Sequence, residues 1–251
     1  MNMFDLSGKK AIVTGACQGL GKSIAEGLAE AGAKVCIMDL NSECEKIAKD
    51  MSKDGKEFSG VVVNLLDRED LVKGFNDAVS KLGGVDILVN NAGMQVRGNA
   101  EEIELSRWDK LIELNVTSVF EMSQLAARHM ISKGYGKIIN VASMLSFFGG
   151  YVCSPYAASK GAVAQLTKAF SNEWAGKGIN VNAIAPGYMD TPLNTAIIND
   201  PERNHEITLR IPAHRWGTPD DLKGTVVFLA SKASDYVSGA IIPIDGGYLG
   251  R

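Results

Sequence analysis

No stretch of the 251-residue chain is apolar for long enough to span a bilayer. The opening Met1–Lys10 has no apolar signal core, so a cytoplasmic protein is expected. Histidine is scarce: His129, His205 and His214 are too scattered for a zinc site, and no metal is expected. The four cysteines, Cys17, Cys36, Cys44 and Cys153, show neither metal nor redox spacing and imply reduced thiols. Cys153, just before Tyr156, reads as a small packing residue. Charge of one sign is lacking too, with 26 basic against 29 acidic residues and a net charge of −3. Without a long basic surface, no nucleic-acid partner is expected. Repeats, low-complexity tracts and an interdomain linker are absent, so residues 1–251 read as one domain with a sizeable core.

What is present begins with a short apolar run, Lys10–Thr14, that reads as a buried strand. It leads into Gly15, Gln18, Gly19, Leu20 and Gly21, and then into an amphipathic helix over Lys22–Ala31. A second strand, Ala33–Met38, ends in Asp39. Strand, glycine turn, helix, strand and acid is the order of a dinucleotide site. Glycines let the backbone turn tightly and approach a pyrophosphate, and the helix N-terminus offers it unpaired N–H groups. Asp39 follows Gly21 by 18 residues, near the spacing of an acid that hydrogen-bonds a ribose 2′-hydroxyl. A carboxylate there repels a 2′-phosphate, and no basic residue stands in the loop or at Leu40–Asn41, so NAD(H) is favoured over NADP(H).

Strand and helix patterns continue to alternate. Further strands are expected at Phe58–Asn64, Val85–Asn90, Lys137–Ala142, Ile179–Ile184 and Ala240–Ile244. Helices are expected around 43–54, 67–82, 106–133, 155–177 and 219–232. This predicts an α/β fold: a single-domain, Rossmann-type, doubly wound parallel sheet of about seven strands with helices on both faces. The polar, proline-punctuated segment 194–215 breaks the pattern. It reads as one or two short helices on an excursion that could close over substrate.

The chemistry concentrates at Tyr156 and Lys160, four residues apart on a helix rich in small residues. Side chains at i and i+4 share a face. A tyrosine ionises near pH ~10 on its own, and a neighbouring positive charge favours phenolate. Such a tyrosine can give or take the proton in carbonyl reduction or alcohol oxidation.

These residues together resemble the short-chain dehydrogenase/reductase family over essentially the whole chain. Thr14-Gly15, Gly19 and Gly21 match its cofactor loop, Asn90–Gly93 its NNAG segment, and Pro186-Gly187 through Thr191 its nicotinamide segment. Asn115, Ser143, Tyr156 and Lys160 match its catalytic tetrad, and Asp245–Gly247 its C-terminal end. The resemblance implies that Gly15, Gln18, Gly19, Leu20, Gly21, Asp39, Asn64, Leu65, Asn91, Ala92, Gly93, Tyr156, Lys160, Pro186, Gly187, Met189 and Thr191 hold the cofactor. Asn64-Leu65 departs from the family's usual Asp-Val pair, which concerns the adenine contact alone. Tyr156 is the implied proton carrier, with Ser143 fixing the reacting oxygen, Lys160 lowering the tyrosine pKa and Asn115 holding a relay water. A homotetramer is implied, with the helices around 106–133 and 155–177 pairing across two-fold axes.

Within the family, the runs Ile138–Gly150, Asn172–Ala175, Asn180–Met189 and Arg210–Gly217 are similar to a sugar-acid branch. That branch includes 2-deoxy-D-gluconate 3-dehydrogenase and gluconate 5-dehydrogenase, and the Ala142–Phe147 and Arg215–Gly217 runs point to the first. A small-molecule substrate with a carboxylate needs a cation, and Arg97 is the candidate, its planar fork suiting a carboxylate. Met144, Phe148 and Tyr188 are candidates to shape the pocket, equally compatible with core or subunit contacts. Alternatives are a neutral polyol or ketose reductase, a 3-oxoacyl-carrier-protein reductase and, from another class, a non-catalytic nucleotide-binding subunit. The last would be expected to lack Ser143, Tyr156 or Lys160.

Overall fold

The computed structural model describes residues 2–251, apart from the side chains at 193 and 196; Met1, where the expected domain begins, lies outside them. Seven parallel strands form one sheet in the order β3-β2-β1-β4-β5-β6-β7. They are β1 (Lys10–Thr14), β2 (Lys34–Asp39), β3 (Phe58–Val62), β4 (Ile87–Asn90), β5 (Gly136–Val141), β6 (Ile179–Pro186) and β7 (Ile241–Ile244). The helices are α1 (Gly19–Glu30), α2 (Cys44–Met51), α3 (Arg68–Leu82), α4 (Leu105–Ile112), α5 (Ser118–Lys133), α6 (Ser154–Trp174), α7 (Thr195–Ile198), α8 (Pro201–Arg210) and α9 (Lys223–Ala230).

The strands are near-continuous apolar runs because both faces of the sheet are covered. Successive side chains point to opposite faces. Ala11 and Val13 of β1 join Ile24, Leu28, Leu222 and Val226 in one core, under α1 and α9. Ile12 between them joins Leu88, Phe75, Met122 and Phe170 in the other, under α3, α5 and α6. The edges are less buried: Val62 of β3 is 45% exposed. Pro243, which cannot donate to a ladder, sits exposed in edge strand β7.

The chain builds outward from β1 in one direction to β3, then returns to place β4 on the other side of β1. The crevice at this switch point, at the carboxyl ends of β1 and β4, is where open α/β sheets bind ligands.

Several expected boundaries shift. Helix α1 begins at Gly19 and not Lys22, because the glycine loop itself forms the first turn. The expected helix 106–133 contains a π-turn at Glu113–Thr117 between α4 and α5. The expected helix 219–232 starts as a 3₁₀ turn at Pro219–Leu222, where Thr218 and Asp221 form a reciprocal cap. The excursion forms α7 and α8, as two short helices.

Candidate active site

At the crevice, Thr14 ties the two key loops together. Its buried hydroxyl accepts from the backbone N–H groups of Asn91 and Ala92 at 3.1 and 3.0 Å. Asn91 returns the contact, its side-chain amide donating to the carbonyls of Thr14 and Gly15 at 3.0 and 2.9 Å. Gly15 has φ +63°, and a side chain on Gly21 would strike the Gly15 carbonyl and the Asn91 amide. The glycine turn is therefore fixed by its neighbours and not merely tolerated.

Gln18, preceding α1, makes no side-chain cap, and the helix's first turn holds no acid. Its first N–H groups and positive dipole end are thus free for an anion. A pocket beside it is lined by Gly15, Gln18, Asp39, Asn64, Leu65, Asn91, Ala92 and Gly93, with Met38, Leu40, Val63, Leu66 and Leu114. The last five were missed in the sequence. Met38, Leu40, Val63 and Leu66 adjoin expected contacts in the chain, but Leu114 arrives from the π-turn and gave no local signal. The donor set fits a dinucleotide: open N–H groups for phosphate, a carboxylate for ribose and apolar walls for a base.

Asp39 is fixed in place. Its two oxygens accept from the backbone N–H groups of Cys17 and Asn41, each at 3.0 Å. Asn64 spends its side-chain oxygen on the Leu66 N–H at 3.1 Å, in its own turn.

The second cluster lies where β5 and β6 end. Ser143 follows β5 and its hydroxyl accepts from the Leu145 N–H at 3.2 Å. Tyr156 stands on the first turn of α6, close enough to Ser143 for the serine hydroxyl to act on its phenol. Lys160, one turn further, is buried, and its Nζ donates to the Val141 carbonyl at 2.7 Å while lying 5.5 Å from the Tyr156 ring centre. Asn115 occupies the π-turn. Its side chain accepts from the Met94 N–H and donates to the Met94 carbonyl, both at 2.9 Å, and donates to Ser159 Oγ at 3.1 Å. A π-turn inside an α-helix is a frequent mark of a functional site.

A family model described as short chain dehydrogenase matches residues 9–202. The chain belongs to the short-chain dehydrogenase family. It is 47% identical to the 2-dehydro-3-deoxy-D-gluconate 5-dehydrogenase of Pseudoalteromonas atlantica, with all of both chains aligned. It is 39% identical to the gluconate 5-dehydrogenase of Gluconobacter oxydans, over 98% of this chain and 96% of that one. Among solved structures, a gluconate 5-dehydrogenase from Burkholderia cenocepacia in complex with NADP and tartrate superposes with a TM-score of 0.96. It shares 40% identity, over 100% of this chain and 98% of that one.

In this short-chain dehydrogenase the electrostatics correct one expectation. The Tyr156 phenol is not lowered but pushed up to about 12. Burial dominates, the Ser143 hydroxyl opposes it, Cys153 adds to it and the Arg97 charge opposes it. Lys160 does not offset this, because burial also pulls its ammonium down to about 8 and its Nζ is turned to the Val141 carbonyl. The Asn115 side-chain amide is committed to Met94 and Ser159.

Arg97 is exposed, yet its charge reaches both Tyr156 and the Cys153 thiol. Cys153 is buried as expected of a packing residue, and its thiol acts on the Tyr156 phenol. Pro186 ends β6 and Gly187 and Thr191 follow it, and the Gly187 N–H donates to Ile244 O at 2.9 Å. Met189 is 3% exposed with its sulfur against Gly217, so its side chain faces the interior. Met144, Phe148 and Tyr188 join one apolar cluster with Ile207, Ile211, Trp216 and Tyr248. They are packing residues in a cluster that begins one residue after Ser143, and Trp216 and Tyr248 were missed in the sequence.

Proposed function

We propose that this dehydrogenase interconverts a secondary alcohol and a ketone on a sugar acid, of the 2-dehydro-3-deoxy-D-gluconate 5-dehydrogenase type, using NAD(H). The observation that carries the reaction is the cluster of Ser143, Tyr156 and Lys160 at the carboxyl end of β5. The substrate class rests on the 47% identity across the whole chain and on Arg97, whose charge reaches Tyr156. When bound, the nicotinamide supplies or accepts the hydride.

Tyr156 holds its proton firmly and is ready to donate it to a ketone oxygen at neutral pH. Ser143 would direct the same oxygen and stabilise charge that develops on it. Lys160, near its own midpoint at pH 8, can pass a proton onward through the helix-side network. We assign Asn115 to that network as the residue that fixes Ser159 and the Met94 backbone around Lys160. Gln18, Leu20 and the first turn of α1 would hold the pyrophosphate and Asp39 the adenosine ribose. Asn64 and Leu65 would take the adenine, and Pro186, Gly187 and Thr191 the nicotinamide. Excluding the 2′-phosphate is Asp39's task, set against the NADP held by the Burkholderia relative.

Assembly as a homotetramer is part of this reading. Leu105, Trp108 and Phe120 are exposed on α4 and α5. On α6, Ala158 is exposed and a side chain at Gly161 would meet nothing, whereas Ala164 serves the core. Among the described residues no helix is long and apolar enough to cross a membrane. The four free, buried thiols suit the reducing cytoplasm.

The test is the initial rate of nicotinamide reduction with 2-deoxy-D-gluconate, D-gluconate, sorbitol and a simple secondary alcohol, each with NAD and with NADP. Turnover confined to the sugar acids with NAD is expected, and its loss in Tyr156→Phe. Activity mainly on the neutral alcohols overturns the substrate reading, and activity only with NADP overturns the role of Asp39.

A further inference from the structure

Helix α8 is short and polar, with Ile207 its one buried residue among those described. A helix of that length is marginal in water, so its neighbours must hold it. Three separate contacts do so, and two of them come from the segment after β7.

The first is the ring of Tyr248. It stacks on Phe148, with ring centres 5.9 Å apart, and meets Tyr188 edge-on at 5.6 Å. Tyr188 in turn meets Trp216 edge-on at 5.3 Å. The Arg210 guanidinium, at the end of α8, lies 5.1 Å from the Tyr248 ring centre. Ile207 and Ile211 pack into the same cluster as Tyr248 and Met144. The rings thus form a continuous path from α8 to Met144 and Phe148, which follow Ser143 in the chain.

The second is Arg251. Its Nη1 donates to the Leu209 carbonyl at 3.0 Å, satisfying one of the carbonyls that a helix end leaves open. The third is Asn204, whose side-chain oxygen accepts from Trp216 Nε1 at 2.9 Å.

The turn that aims Tyr248 is itself built for the purpose. Asp245 accepts from the N–H groups of Gly247 and Leu249 at 2.9 and 2.8 Å. Gly246 and Gly247 have φ +65° and +91°, and a side chain on Gly246 would strike Ile211. Gly246 also receives the Ala213 N–H at 3.0 Å, just after α8.

We propose that Tyr248 and Arg251 are positioning residues that clamp α8 over the substrate pocket and set how tightly the sugar acid is held. The proposal rests on the sugar-acid reading for its substrate and on the ring path for its mechanics. Neither residue borders the adenosine pocket, so the clamp acts on substrate affinity far more than on the adenosine end of the cofactor.

The test compares Tyr248→Leu, Tyr248→Phe and Arg251→Ala with the unaltered protein. Three quantities are measured: KM and kcat for the best sugar acid, NADH binding by fluorescence, and amide hydrogen exchange across residues 201–210. Tyr248→Leu should raise the sugar-acid KM about tenfold, with NADH binding unchanged and exchange in 201–210 faster by at least about tenfold. Tyr248→Phe keeps the ring path and should restore most of both values. Arg251→Ala should fall between, and carries the test if Tyr248→Leu does not fold. Unchanged exchange in 201–210 overturns the clamp, as does a loss of NADH binding equal to the rise in KM. If the unaltered protein turns over none of the sugar acids, the substrate reading fails, while the exchange result still decides the clamp.

Discussion

Lys160 and Val141 are joined by a 2.7 Å hydrogen bond from the ammonium to the backbone carbonyl. The ammonium is buried, and burial draws its pKa down to about 8 from an ordinary value near 10.5. Below pH 8 the lysine is charged in the folded and the unfolded chain, and the full cost of burying it is present. Between pH 8 and 10.5 the unfolded chain binds more protons, so stability rises with pH. Above that window the cost is gone. Lys160→Met should therefore unfold less readily than the unaltered protein at pH 7, by about 2 kcal/mol after the lost Val141 bond is counted. The gap should close by pH 10, and turnover should vanish throughout. Urea titrations at the two pH values check this, and a variant weaker at both would show that Lys160 is a net support of the fold.

Asp39 faces two ways. Its oxygens hold the Cys17 and Asn41 N–H groups, and its charge faces the pocket that should hold the adenosine ribose. Asp39→Ala should weaken NADH binding by about tenfold through the loss of charge-assisted hydrogen bonds, while NADPH binding holds steady or tightens. Direct titration of both reduced cofactors by fluorescence separates the two roles. Equal weakening would mean that Asp39 serves the glycine loop and does not select the cofactor.

The parts of this molecule written in local sequence were legible, and the parts written by tertiary contact were not. Lys10–Thr14 announces a buried strand because both of its faces are apolar, and the glycines at 15, 19 and 21 announce the turn because few other residues fit there. Tyr156 and Lys160 could be paired from helix spacing alone. The sign of the tyrosine's pKa could not, because it depends on burial and on Ser143, Cys153 and Arg97. The π-turn at 113–117 lies in an unbroken helical pattern, and Asn115's contacts with Met94 and Ser159 are invisible along the chain. Tyr248 and Trp216 share a cluster with Met144 although they lie at least 56 positions after Ser143, Tyr156 and Lys160 in the sequence.

Val152 carries φ +52°, a left-handed conformation that a β-branched residue adopts only under constraint. Its carbonyl accepts from the Gly98 N–H at 3.0 Å, joining the loop that bears Arg97 to the turn before Tyr156. The side chain is 41% exposed, so little packing opposes its removal. Val152→Gly should relieve strain worth about 1 kcal/mol net and raise the melting temperature by roughly 2 °C. Because the carbonyl contact survives, kcat/KM should stay within about twofold. A lower melting temperature would show that the Val152 side chain, and not its backbone, holds this turn.

Arg97 is the one exposed cation whose charge reaches both Tyr156 and Cys153 among the described shifts, and we propose that it meets the substrate carboxylate. A sugar acid presents a carboxylate there, whereas a neutral ketone presents nothing for a guanidinium to grip. Arg97→Ala should raise KM for the sugar acid by about tenfold or more and leave KM for a neutral ketone within about threefold. Arg97→Lys keeps the charge but loses the fork, so it should recover part of the sugar-acid affinity. Equal rises for both substrates would mean that Arg97 acts on the Tyr156 phenol alone, and the carboxylate would then have to be sought among the cations of α8.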